Sequence, residues 1–149
     1  MKSETFLDLI VAVDRLHFQF SDVLHAAFGR TPPCNRTEAL LLLLMPEDGP
    51  ALHQIDLGRG RNVSQIATGL RKHGYLVLEP DEHDGRVRRV RLTDAGRALR
   101  CRMLAVLERH VEAMEPELRE GLPAAVRALR RLDRFLDYAG QERLTKTTA

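Results

Sequence analysis

The chain has 149 residues, 44% hydrophobic and 30% charged, with 23 Lys and Arg against 21 Asp and Glu. That length suits one domain with a real core and is too short for two, and the hydrophobic content excludes general disorder. No apolar run of about 18 residues could cross a membrane, the early charges exclude a secretory leader, and two cysteines make no disulfide framework, so a cytoplasmic protein without a membrane partner is expected.

Phe6, Leu9, Ile10, Val13, Leu16, Phe20, Val23, Leu24 and Phe28 recur at spacings of three and four. This predicts a long amphipathic helix, closed by Gly29 and the breaker Thr31-Pro32-Pro33. Asn35 stands three residues before Glu38, a variant of the capping box, and opens the apolar run Ala39 to Met45. Pro46 stops that run, and a helix so apolar is expected to be buried. Glu47-Asp48-Gly49-Pro50 is a turn. A short helix over Ala51 to Leu57 and the turn Gly58-Arg59-Gly60 follow. A second helix then turns Val63, Ile66, Ala67 and Leu70 inward, with Gly74 just past its end.

Tyr75 to Glu79 has strand composition and Val87 to Leu92 alternates as a strand does, with Pro80 to Gly85 as the turn between them. Thr93-Asp94 caps a helix to about Glu115, with Leu99, Met103, Val106, Leu107, Val111 and Met114 on one face. A last helix carries Leu122, Val126, Leu129, Leu132, Leu136 and Ala139, with Pro123 in its first turn. The tail, Gln141 to Ala149, is expected to fray.

A helix, turn and helix followed directly by a hairpin is the order of a winged helix-turn-helix. The expected fold is mainly α with a small β-hairpin wing, one domain over residues 1–149. Residues 35–93 form the winged helix-turn-helix, and residues 1–30 and 94–140 are long helices that dimerise. The alternative is that the terminal helices fold back on the single domain.

Charge is distributed unevenly. Between Arg59 and Arg91, eight Lys or Arg stand against four Asp or Glu, the pattern of a localised polyanion-binding surface or of a solvated basic face. If Val63, Ile66, Ala67 and Leu70 face inward, then Arg61, Asn62, Gln65 and Thr68 face outward, with Ser64 beside them. Arg, Asn and Gln are the types that pair bidentately with guanine and adenine in a major groove. Gly69 in mid-helix suggests close approach, by a packed helix or by phosphate. Arg86 stands at the hairpin tip, where a guanidinium can enter a narrow minor groove. Arg88 points to the face opposite Arg89 and Arg91, so some wing arginines pair with Asp81 or Glu82 instead of DNA.

Asp81, His83 and Asp84 could also suggest a metal site or an acid-base pair. They lie in one turn with no second cluster converging on them, so no metal, cofactor or catalysis is expected. Cys34, just before a helix start, is the candidate redox thiol because the helix dipole lowers a thiol pKa there, while Cys101 is assigned to packing. His17 and His25 could line a cleft for a small effector.

Asp81-Glu82-His83-Asp84-Gly85-Arg86, five residues, then Leu92-Thr93-Asp94-Ala95-Gly96 resembles the wing signature of the multiple-antibiotic-resistance regulator (MarR) family, D-x-R-D-x-R, five residues, L-T-x-x-G. Val63-Ser64-Gln65-Ile66 with Leu70 to Val77 is similar to the family's recognition helix and its exit into the wing. The resemblance covers nearly the whole chain. It implies an obligate homodimer, binding to pseudo-palindromic double-stranded operator DNA, and repression released by a small ligand or by cysteine oxidation. His83 stands where the signature has its first arginine, and is expected to brace the wing with Asp81 and Asp84. Leu52-His53 and Asp56 depart from the family pattern in the first helix of the helix-turn-helix. A winged-helix scaffold for protein partners, without DNA binding, is the alternative reading.

Overall fold

The computed structural model describes residues 2–29, 33–46, 49–58 and 60–147, without the side chains of 2, 3 and 140–147. The breaker residues Thr31 and Pro32, the turn residues Glu47 and Asp48, Arg59, and the tail residues Thr148 and Ala149 lie outside that range.

Asn35 and Glu38 cap a helix as their spacing predicts. The Asn35 Oδ1 accepts from the Glu38 amide at 2.9 Å, and the Glu38 Oε2 accepts from the Asn35 amide at 2.9 Å. This helix, α2 (Arg36–Leu44), follows α1 (Lys2–Phe28). After it come a single 3-10 turn (Leu52–Gln54), α3 (Val63–Lys72), β1 (Leu76–Pro80), β2 (Arg88–Leu92), α4 (Asp94–Glu112) and α5 (Pro116–Thr147). The chain divides into two compact units, Met1–Glu108 and Arg109–Ala149.

The core of the first unit joins Leu24 of α1, Ala39, Leu41, Leu42 and Met45 of α2 and its end, Ala67 and Leu70 of α3, Leu76, Val90 and Leu92 of the hairpin, and Leu99 and Met103 of α4. Burying such side chains is the main force that fixes α3 and the hairpin together. Leu44 departs from the expected burial of α2 and is 62% exposed.

The two strands pair antiparallel, with Leu76 opposite Leu92, Leu78 opposite Val90 and Pro80 opposite Arg88. Each strand is displaced by about one residue from its predicted start. Because strand side chains alternate, Arg88 lies on the same face as the buried Val90 and Leu92, at its open end. The turn between the strands is built by two aspartates. Asp81 Oδ1 accepts from the amides of His83 (2.8 Å) and Asp84 (3.1 Å), and Asp84 Oδ1 accepts from the Arg86 amide (3.0 Å).

Thr93 ends the hairpin and caps α4. Its hydroxyl donates to the Gly74 carbonyl at 2.6 Å and accepts from the Gly96 amide at 3.0 Å, while its own amide donates to the Tyr75 carbonyl at 3.1 Å. Gly96 is needed because a Cβ there would lie 1.9 Å from the Tyr75 carbonyl oxygen. The threonine and glycine of the Leu92 to Gly96 motif thus lock the start of α4 onto the end of α3.

Four expectations are corrected. The helix expected over Ala51 to Leu57 shrinks to one 3-10 turn. Ala51 is drawn into a β-bridge with Arg89, Asp56 Oδ1 takes the Gly58 amide at 2.7 Å, and Gly58 and Gly60 adopt positive φ, so helical geometry is lost at both ends. The last helix starts at Pro116, with the Glu115 carbonyl accepting from the Arg119 amide at 3.0 Å. Pro116 therefore takes the favoured first position and Pro123 sits in the helix interior, where it removes one backbone donor. The tail is helical through Thr147, and α4 stops at Glu112.

Along α1, Phe6, Leu7, Ile10, Val13 and Leu16 are exposed, and along α5 so are Leu118, Val126, Leu129, Phe135 and Leu136. No helix among the described residues is long and apolar enough to cross a membrane.

Candidate nucleic-acid interface

On α3, Ala67 and Leu70 of the expected inward face are buried, and Ser64 and Gln65 of the outward face are exposed, while Val63, Ile66 and Thr68, with Arg61 just ahead of the helix, are all half-buried. Asn62 is the N-cap, its Oδ1 accepting from the Gln65 amide at 3.1 Å. One lone pair of that carbonyl oxygen is therefore used by the helix, while its second lone pair and the amide NH₂ group remain for other partners. The Thr68 hydroxyl donates to the Ser64 carbonyl at 2.9 Å, which leaves its methyl for apolar contact.

A cleft of about 470 Å³ separates the start of α3 from the wing. It brings together Arg61, Asn62 and Ser64 with Arg86 and Arg88, and it contains His53 from the 3-10 turn. Among the described residues three arginines line it and no Asp or Glu does. Charge of one sign in a concave site concentrates the field and draws an anion. Gln65 and Thr68 lie in a second groove of about 680 Å³ between α2 and α3, together with Arg36, Thr37 and Lys72. Lys72 was legible in the sequence, since it follows Thr68 by four residues and shares its helical face. Arg36 and His53 were not, because only packing brings their elements beside α3.

The remaining wing arginines are paired. Arg89 contacts Asp81 Oδ2 through its Nε and the Gly49 carbonyl through Nη1 at 3.0 Å, and Arg91 Nε meets Glu79 Oε2 at 3.0 Å. The Arg89 guanidinium and the two turn amides hold the Asp81 carboxyl at about 2, below its usual value of 3.8. The expected brace of Asp81, His83 and Asp84 therefore changes membership. Arg89 is the partner of Asp81, and His83 supplies its backbone amide.

A third cleft, of about 400 Å³, is lined by Ser21, Leu24, His25, Pro33, Cys34, Asn35, Arg36, Glu38 and His73. His25 reaches it, whereas His17 is edge-on to Phe18. Burial, and then the Glu38 carboxylate, push the Cys34 thiol up to about 11, opposite to the lowering expected from the helix start. Cys34 precedes the N-cap and meets a low-dielectric, acidic neighbourhood before it feels the dipole. Cys101, assigned to packing, is exposed. Among the described residues no three His, Cys, Asp or Glu side chains converge as metal ligands.

No protein-family model matches the sequence, and no curated protein matches it. Solved structures do share the fold. A probable transcriptional regulator from Pseudomonas aeruginosa aligns with a TM-score of 0.62 at 24% identity, over 83% of this chain and 98% of that one. Streptococcus pneumoniae FabT, solved in complex with DNA, aligns at 0.64 with 17% identity, over 93% of this chain and 99% of its own. A MarR-family transcriptional regulator from Rhodococcus sp. RHA1 aligns at 0.61 with 19% identity, over 82% and 91%. The chain has their winged helix-turn-helix fold.

Proposed function

We propose that the protein is a MarR-type transcriptional regulator, a cytoplasmic homodimer that binds pseudo-palindromic double-stranded DNA and acts as a repressor, with no catalytic activity. The observation that carries this reading is the cleft between α3 and the wing, where Arg61, Arg86 and Arg88 gather and no Asp or Glu is among the described lining residues. A helix that presents Gln65 and Ser64 outward beside such a cleft suits base edges in the major groove, with phosphates along the arginines. FabT and CouR, which share the fold, were both solved on DNA. The exposed apolar faces of α1 and α5 suit a second copy, and a two-fold dimer presents two α3 helices to a repeated half-site.

Release by a small ligand fits better than release by oxidation. The DNA binding of BpsR is regulated by 6-hydroxynicotinic acid, and the chain here has a cleft beside α3 at His73. Burial and the Glu38 carboxylate raise the Cys34 thiol to about 11, which disfavours the reactive thiolate.

The reduction of the first helix of the helix-turn-helix to one 3-10 turn favours the rival reading, a scaffold for protein partners. A gel-shift titration with fragments from the promoter beside the gene, and with random duplex, separates the two. Preferential binding that weakens steeply with salt supports a regulator. Equal, weak binding to every duplex leaves the scaffold.

A further inference from the structure

A glycine in the middle of a helix is a poor helix former, and Gly69 lies in the middle of α3. The structure supplies its cause. A Cβ at residue 69 would lie 2.2 Å from Glu38 Oε1 and 3.4 Å from Glu38 Cδ. Glu38 is only 6% exposed, the one buried charged side chain among the described residues. Its carboxylate is held from one side by the capping box, where Oε2 accepts from the Asn35 amide at 2.9 Å. Its other oxygen rests on α3 at Gly69 and stands 3.9 Å from His73 Nε2, at the C-cap of the same helix. Moving this enclosed carboxylate away from Gly69 would strain or break its bond to the Asn35 amide, the cap of α2.

We propose that Glu38 is a positioning residue: its carboxylate, seated on the bare backbone of Gly69, sets the distance between α2 and α3 and thereby the fit of α3 to base edges. The inference rests on the DNA-binding reading above. Gly69 is the neighbour of Thr68 and lies one helical turn from Gln65. A displacement at Gly69 is therefore carried directly to the face that meets DNA. Phosphate contacts from the wing lie on a different element and would be spared. The signature is a loss of discrimination between sequences with little loss of general affinity.

The test uses full-length protein and two probes, the duplex pool that wild type enriches from randomised DNA and the unselected pool. Glu38→Ala and Gly69→Ala are each expected to lower affinity for the enriched pool about tenfold, the size of a contact-pair coupling, with affinity for the unselected pool within about twofold. Glu38→Gln, which keeps the shape and an oxygen acceptor, should keep discrimination. The double variant Glu38→Ala/Gly69→Ala should discriminate better than Gly69→Ala alone, because the new methyl takes the space the carboxylate vacates. Urea titration of all four reads the same coupling in stability, where the Gly69→Ala cost should shrink once Glu38 is Ala. Losses that simply multiply in both assays, or a Glu38→Ala protein with intact discrimination, overturn the proposal. A wild type that enriches no sequence removes the DNA-binding reading itself, while the urea cycle still reports whether the two residues are coupled.

Discussion

Asp81 and Arg89 close the base of the wing and tie it to the segment that follows α2. The Arg89 guanidinium holds the Asp81 carboxylate and, through Nη1, the Gly49 carbonyl forty residues away in sequence. The same carboxylate collects the amides of His83 and Asp84, so one side chain shapes the turn and anchors it.

That pairing makes the wing acid-sensitive. The Asp81 carboxyl is lowered from 3.8 to about 2, chiefly by the hydrogen bond from Arg89. A depressed folded pKa contributes stability that is present above the unfolded value and is lost as pH falls toward the folded one. Protection factors of the turn amides at 83, 84 and 87 should therefore drop between pH 4 and pH 2. Asp81→Asn, which keeps an acceptor for the turn but loses its charge, should show lower protection at pH 5 and no fall across that window. Unchanged wild-type protection would contradict the assignment.

Gly96 and Gly121 give a matched contrast. A Cβ at Gly96 meets the Tyr75 backbone at 1.9 Å, and that carbonyl already accepts from the Thr93 amide. Gly96→Ala should cost about 3 kcal/mol or more in urea denaturation, at or above the upper end of the range for overpacking. Gly121, inside α5, has nothing within 4 Å of such a Cβ, so Gly121→Ala should stabilise by up to about 1 kcal/mol.

Arg86 and Arg89 should separate DNA contact from wing support. Arg86 is exposed at the tip and carries no ion pair among the described residues, so Arg86→Ala should weaken DNA binding by about 1–3 kcal/mol without lowering stability. Arg89→Ala should lower stability first. Unchanged affinity in the Arg86 variant would remove the tip from the interface.

Cys34 should be the slow thiol. With its pKa raised from 9.0 to about 11, its thiolate fraction near neutrality is lower by about two orders of magnitude, and alkylation should speed up as pH approaches that value. Exposed Cys101 should react first, so iodoacetamide mapping of wild type and Cys101→Ala reads the order directly. Peroxide should not release the protein from DNA through Cys34.

Removal of residues 122–149 takes away much of the exposed apolar face of α5, including Leu129 and Phe135. Light scattering should then report monomer or aggregate in place of a dimer. A well-behaved dimer after truncation would locate the interface elsewhere.

The sequence by itself determined what depends on neighbours a few residues apart. The Asn35–Glu38 cap, the stop at Gly74, the two-aspartate turn and the Thr93 start of α4 each rest on hydrogen bonds spanning at most about five residues, save the link from Thr93 to the end of α3. The inward and outward faces of α3 follow likewise from one helical period. Tertiary structure decided what depends on distant groups. The bridge from Ala51 to Arg89 helped to shorten the helix expected over 51–57, and strand pairing decided which wing arginine meets Asp81. The state of Cys34 turned on burial beside Glu38, which outweighed the local dipole its position suggested. The cause of Gly69 lay on another helix. Burial and pairing energies depend on which surfaces meet, and local spacing specifies which way a side chain faces but not which group meets it.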